Sequence, residues 1–209
     1  IEKYVRDGAN LTRQLLGFAR GGKYEVKPAN TNELIRKSSE MFGRTRKEIT
    51  IHRKFQNDIR TVEIDRGQIE QVLLNLYVNA WQAMTGGGEI YLETQNVVLD
   101  NTFVEPYHLP AGNYVKISVT DTGVGMDEAM QKRIFEPFFT TKEMSRGTGL
   151  GLASAYGIIM NHQGIINVSS VKGEGTTFNI YLPASQNEVE QKKEPAREIL
   201  KGSETILLV

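Results

Sequence analysis

The stretch from Asp121 to Leu152 concentrates residue types that hold polyanions. It opens with Asp121-Thr122-Gly123-Val124-Gly125-Met126 and closes with Gly147-Thr148-Gly149-Leu150-Gly151-Leu152, and Phe135-Glu136-Pro137-Phe138-Phe139-Thr140-Thr141-Lys142 lies between. Glycine lets a backbone approach a ligand closely and take up positive φ, and the N–H groups that open a helix form a ready site for phosphate. Either run alone reads as a glycine turn joining two strands. Together, the first opened by an acid and the second followed by a helical pattern, they read as a ligand site. A second constellation lies upstream. Gln71, Asn75, Asn79 and Gln82 are spaced four, four and three, which puts them on one helix face. Asparagine is a poor helix-interior residue, and a merely solvated face would carry Lys and Glu, so this stripe also points to a ligand.

The elements that must position these residues follow from periodicity. Asp65 and Gln68 make a capping-box-like start to a helix over 68–84 whose apolar face is Ile69, Val72, Leu73, Leu76, Ala80 and Ala83. Residues 114–120 alternate as a strand, with Val115, Ile117 and Val119 on one side, and deliver Asp121 at its end. Asp127 caps a short helix reaching Phe135, and residues 153–163 form a helix closed by Gly164. Further strands are expected over 49–55, 89–99, 165–170 and 177–182, with 100–113 as a loop. A short amphipathic helix carries Leu34, Ile35, Ser38, Met41 and Phe42 and takes its N-cap from 30–32. Residues 1–20 show an a/d seam (Ile1, Tyr4, Gly8, Leu11, Leu15, Phe18), the mark of a bundle helix, although docking on its own domain is the alternative. Residues 184–203 read as a charged linker and 204–209 as the first residues of a buried strand.

Composition narrows the classes. The chain has 209 residues, 39% hydrophobic and 24% charged, enough for one domain with appendages. Lys+Arg and Asp+Glu are both 25, which argues against a generic nucleic-acid or anionic-membrane surface. Without cysteine there is neither a disulfide framework nor a thiolate metal site. No run is long enough for a membrane span and no secretory signal is visible, so the segment reads as cytosolic. The run Gly17-Phe-Ala-Arg-Gly-Gly-Lys23 imitates a phosphate-binding P-loop. It is rejected because Tyr24 stands where the metal-binding hydroxyl belongs and a helix, not a strand, precedes it. Neither His52 nor His108 has ligand-type neighbours. His162 closes a helix, where a positive charge would suit the dipole.

Four boxes in fixed order carry a resemblance. They are Gln71-Val-Leu-Leu-Asn75-Leu-Tyr-Val-Asn79-Ala80, Asp121-Thr-Gly-Val-Gly125, Phe135-Glu-Pro-Phe-Phe139 and Gly147-Thr-Gly-Leu-Gly151. Over roughly residues 30–183 the chain resembles the catalytic ATP-binding domain of sensor histidine kinases, within the GHKL ATPase superfamily. The resemblance implies an α+β fold, a two-layer α/β sandwich with a mixed, mostly antiparallel sheet and helices on one face, preceded by a bundle helix. It implies the division 1–20 end of a dimerisation helix, 21–183 catalytic domain, 184–203 linker and 204–209 start of a receiver domain, as in hybrid kinases. It implies ATP and Mg²⁺ as cofactors. Asp121 would accept from the adenine amino group, Asn79 would ligate Mg²⁺ with Asn75 in support, and Gly123 and Gly125 would let the chain pass the base. Gly147, Gly149 and Gly151 would receive the phosphates, and residues 138–146 would form a lid with Lys142 and Arg146 as cations. Met126, Phe135, Thr148, Leu150 and Leu152 would line the nucleotide, and Thr176 would reach adenine through water. Gln82 would bond a phosphate without adding charge, since it stands where many relatives have a basic residue, and Ala83 stands where they have tyrosine. The partners implied are the chain's own upstream helices, a second copy in a homodimer and a receiver domain, fused or separate, with no nucleic acid. The parent protein would be cytoplasmic or anchored in the membrane.

Such kinases phosphorylate a histidine followed by an acid on a bundle helix. None of His52, His108 and His162 has that setting, so the acceptor is expected outside this sequence. Hydrolytic relatives instead place a water-activating glutamate where Asn75 stands, and an amide cannot be that base. A non-enzymatic nucleotide sensor is the third reading, against which the intact boxes speak.

Overall fold

The computed structural model describes residues 25–141 and 148–187. The expected bundle helix over 1–20, the rejected P-loop imitation, Lys142, Arg146, Gly147 and the stretch from 188 to the end lie outside the described residues.

In chain order the elements are β1 (Lys27–Ala29), α1 (Thr31–Thr45), β2 (Ile49–Phe55), β3 (Val62–Ile64), α2 (Arg66–Ala83), β4 (Gly88–Leu99) and α3 (Asn101–Val104). After a single 3₁₀ turn at Glu105–Tyr107 come β5 (Gly112–Asp121), α4 (Glu128–Gln131), α5 (Gly151–Asn161), β6 (Ile165–Val171) and β7 (Gly175–Pro183). The main sheet has five strands in the order β2-β4-β5-β7-β6. Among the described residues, only β2 and β4 run parallel; the other pairings of this sheet are antiparallel. β1 and β3 form a separate antiparallel pair.

Alternation along the strands explains why the helices lie on one face. Ile90 and Leu92 of β4, Ile117 and Val119 of β5, and Phe178, Ile180 and Leu182 of β7 are buried. They join Ile69, Leu73, Leu76 and Ala80 of α2 and Ala155 and Ile159 of α5 in one core. The other face is polar: the Ser118 hydroxyl donates to Asn179 at 2.8 Å and Thr120 bonds Thr177 at 2.9 Å. Its one covered end lies under residues 101–109, where Phe103 meets Tyr181 edge-on at 5.2 Å beside Leu99, Val104, Tyr114 and Ile165. The expected loop over 100–113 is therefore partly helical, capped by Asp100 accepting from Phe103 N–H.

α1 packs on α2 through Phe42 and Tyr77, whose rings lie 5.5 Å apart. Burial pushes the Tyr77 hydroxyl up to about 12, so it remains neutral and bonded to Ser38. Asn30 caps α1 as expected, accepting from Asn32 and Glu33 N–H. Residues 184–187, read as the start of the linker, are tied to the domain. Ala184 bridges to Val62, Ser185 N–H donates to the Thr61 carbonyl at 2.8 Å, and the Asn187 amide donates to Glu63 at 2.6 Å.

Candidate nucleotide site

The α2 helix sets the length of the site. Asp65 caps it, accepting from Gln68 N–H at 3.0 Å. The reciprocal half of a capping box is missing: the Gln68 side-chain oxygen is buried without a hydrogen-bond partner. In its place His162, at the end of α5, accepts from the Asp65 backbone N–H through Nε2 at 2.9 Å. A backbone N–H only donates, so the ring proton sits on Nδ1, which donates to the Ile158 carbonyl at 2.7 Å. His162 thus ties two helix ends together by hydrogen bonds.

Farther along α2 the polar stripe turns toward α5 and is half-buried. The Gln71 amide donates to Ser154 at 3.4 Å, and the Asn75 amide donates to the Gly151 carbonyl at 3.0 Å. A carbonyl cannot donate, so this bond fixes which end of the Asn75 amide is nitrogen and leaves Oδ1 as its acceptor end. Two turns on, Ala83 touches the other glycine run: a Cβ on Gly123 would lie 2.7 Å from the Ala83 methyl, and Val124 N–H donates to the Ala83 carbonyl at 3.1 Å. Between Asn75 and Ala83 the helix rises about 12 Å, on the order of a nucleotide's length, and Asn79 and Gln82 occupy that interval.

The first glycine run closes one end. Asp121, at the end of β5, is buried, and its Oδ1 accepts from Gly123 N–H at 2.8 Å. Burial raises its pKa above the usual aspartate range, opposed by the Gly123 and Thr176 backbone N–H groups. Gly125 has φ +64°, and a Cβ there would lie 2.0 Å from the Val171 carbonyl oxygen, so no other residue fits. Met126 N–H donates to the Ser170 hydroxyl at 2.8 Å, and the Gln131 amide bonds the Met126 and Ser170 carbonyls. Thr176 is paired with Asp121 across β5 and β7 and buried beside it. Ser170 and Gln131 belong to no glycine box, and sequence reasoning missed both.

The second run closes the other end. Leu150, at the N-cap of α5, offers no side-chain acceptor to the first helical N–H groups, so they can meet an anion. Gly149 has φ +67°, its carbonyl accepts from Phe138 N–H at 3.0 Å, and a Cβ would lie 2.4 Å from the Phe138 carbonyl carbon. Phe138, where the expected lid begins, is thus bonded to Gly149 of the second run. Thr148 stands beside it, its hydroxyl 3.4 Å from Leu150 N. α4 is shorter than expected: it ends at Gln131, and turns carry the chain on to Phe135. The Phe135 ring packs on Tyr156 at 5.3 Å and Phe178 at 6.5 Å, and Met126 and Leu152 are half-buried against the same core.

The fold thus brings both glycine runs to α2: Asn75 bonds Gly151 at the start of α5, and Ala83 meets Gly123 and Val124 just beyond Asp121 at the end of β5. The family model for histidine kinase-, DNA gyrase B- and HSP90-like ATPases matches residues 64–186. The chain belongs to this ATPase family. It is 38% identical to the sensor kinase CckA of Brucella abortus over 220 aligned residues, covering 100% of the chain and 23% of CckA. The full-length ShkA structure with AMPPNP aligns with a TM-score of 0.67 at 27% identity, over 84% of this chain and 35% of that one. Histidine kinase ThkA, solved with response regulator protein TrrA, aligns with a TM-score of 0.65 at 26% identity, over 87% of this chain and 49% of that one. The chain spans about a quarter of the length of the curated relatives it matches. The two-layer fold with a mostly antiparallel sheet, expected from the four boxes, is the one these histidine kinases share.

Proposed function

We propose that this chain is the ATP-binding catalytic part of a two-component sensor histidine kinase. It would transfer the γ-phosphoryl of ATP to a histidine on a bundle helix outside this sequence, for relay to a receiver aspartate. Adenine would sit at Asp121 and Thr176, with Gly123 and Gly125 beside it, and the phosphates at the N-terminal turn of α5. Asn79 and the Asn75 oxygen are hard oxygen donors of the kind Mg²⁺ accepts while keeping several waters. The ion would draw charge from the phosphates, and Lys142 and Arg146 of the lid would add to it. Phosphoryl transfer asks mainly for positioning and charge neutralisation, and the groove offers both. The full protein would act as a homodimer through its bundle helices, and its receiver would be fused or separate.

The observation that carries this reading over a hydrolytic ATPase is Asn75. It stands where hydrolytic members of the family hold a water-activating glutamate, and its amide is bonded to the Gly151 carbonyl. The three histidines also fail as acceptors. His52, on the edge strand β2, stacks on Tyr91 and bonds Glu89 of β4. His108 ends a 3₁₀ turn at φ +55°, and His162 is buried between helices. The test is the parent protein with its upstream helices, incubated with labelled ATP. Acid-labile, alkali-stable phosphate on the protein is expected. Rapid release of inorganic phosphate with no phosphohistidine would favour the ATPase.

A further inference from the structure

Strand β3 is three residues long, yet the segments that enter and leave the domain both pair with it. Residues 27–29 run antiparallel along one side, with Ala29 opposite Val62, and Ala184 bridges to Val62 from the other. Val62 and Ile64 are buried in the core, so strand alternation turns Glu63 outward. There one carboxylate oxygen of Glu63 accepts from the Ser185 hydroxyl at 3.0 Å and from the Asn187 amide at 2.6 Å. Ser185 N–H donates to the Thr61 carbonyl at 2.8 Å, and the Thr61 hydroxyl donates to the Asn187 carbonyl at 2.6 Å. The departing segment is thus clasped by side chains as well as by backbone.

β3 runs directly into Asp65, the N-cap of α2. The two carboxylate oxygens of Asp65 serve different elements: Oδ1 accepts from Gln68 N–H of α2, and Oδ2 accepts from Glu25 N–H of the arriving segment. Its own N–H goes to His162 at the end of α5. The same two helices meet again where Asn75 bonds Gly151. One short strand therefore stands between both flanks of the domain and the helix pair assigned to the phosphates.

We infer that β3 is a coupling strand and Glu63 a positioning residue: the departing segment, docked on Glu63, fixes β3 and Asp65 and through them the seating of α2 against α5. This rests on the nucleotide reading of the groove beside those helices. A helix pair already held at its N-cap has less freedom left to lose when a ligand binds, so an ordered clasp raises affinity. By reciprocity the bound nucleotide tightens the clasp by the same factor. An event beyond residue 187 would reach the site by this route without touching it.

The experiment titrates the whole chain with AMPPNP and Mg²⁺ by calorimetry and follows exchange of the Ser185 amide hydrogen, which reads the clasp directly. Glu63→Ala is expected to speed that exchange and to weaken AMPPNP by about fivefold, the low end of ordinary coupling between sites. Glu63→Gln, whose amide oxygen still accepts, keeps both at the wild-type level. In wild type, saturating AMPPNP slows Ser185 exchange, a response that a purely structural clasp lacks. If Glu63→Ala does not fold, Asn187→Ala, at an exposed position, carries the same prediction. Wild type that binds AMPPNP with no change in Ser185 exchange overturns this inference alone. So does unchanged affinity in a folded variant, whether or not its Ser185 amide exchanges faster. Wild type that fails to bind AMPPNP overturns the nucleotide reading together with it.

Discussion

At Asp121, stability and binding pull in opposite directions. Burial raises its pKa, so the folded protein holds this proton more tightly than the unfolded chain. Between the unfolded and folded pKa, stability therefore falls as pH rises, because the ionised carboxylate is the form that burial disfavours. Accepting from an adenine amino group calls for that same ionised form. ADP affinity is expected to fall as pH drops through the interval between the raised pKa and the ordinary aspartate value, while Asp121's own contribution to unfolding stability rises. Calorimetric titration and urea unfolding over this interval read both slopes. Asp121→Asn should flatten the first at low affinity and remove this residue's part of the second. A wild-type affinity constant across the interval would contradict the assignment. Asp121 was legible because a clean period-two strand ends on it and glycines follow. Ser170 was not legible: its partners Met126, Gly175 and Thr176 meet only when β6, β7 and the first glycine run are assembled.

At the scale of elements, α2 and α5 would carry the site between them, and hydrogen bonds join them at both ends of their contact as well as through Gln71 and Ser154. Asn75 bonds Gly151 near the phosphate end, and His162 bonds the N-cap of α2 at the far end. Glu25 N–H also donates to Asp65 at 3.2 Å, so the segment entering the domain meets the residue that caps the site-bearing helix. Losing the His162 acceptor leaves the Asp65 N–H without it, a cost of about 1–3 kcal/mol. Urea unfolding should show that loss in His162→Ala, with partial recovery in His162→Gln, whose amide oxygen can reach as an acceptor. Equal stability of wild type and His162→Ala would remove the link. The long elements were readable because α2 and β5 hold their periods over many residues. The β1–β3 pair was not, since three residues are too few to show alternation. The place of His162 was hidden because its partner lies 97 residues away, and its position by the helix dipole suggested charge instead. The polar stripe of α2 suggested a ligand by its residue types, and two of its members, Gln71 and Asn75, address α5 directly.

At the scale of the molecule, one polar sheet face, one helix-covered face and a groove at the helix side make a nucleotide-binding module of the GHKL type. Among the described residues no helix is long and apolar enough to cross a membrane. In the proposed reading the module would supply positioning and charge for phosphoryl transfer, and the nucleophile would come from elsewhere. The claim on which everything else stands is that Asn79 and Asp121 belong to one site. Titrating this chain with AMPPNP, with and without Mg²⁺, tests it directly. Binding that strengthens with Mg²⁺, and at least a tenfold loss (about 1.4 kcal/mol) in both Asn79→Ala and Asp121→Asn with folding retained, is the predicted result. Wild-type affinity in both folded variants would contradict it.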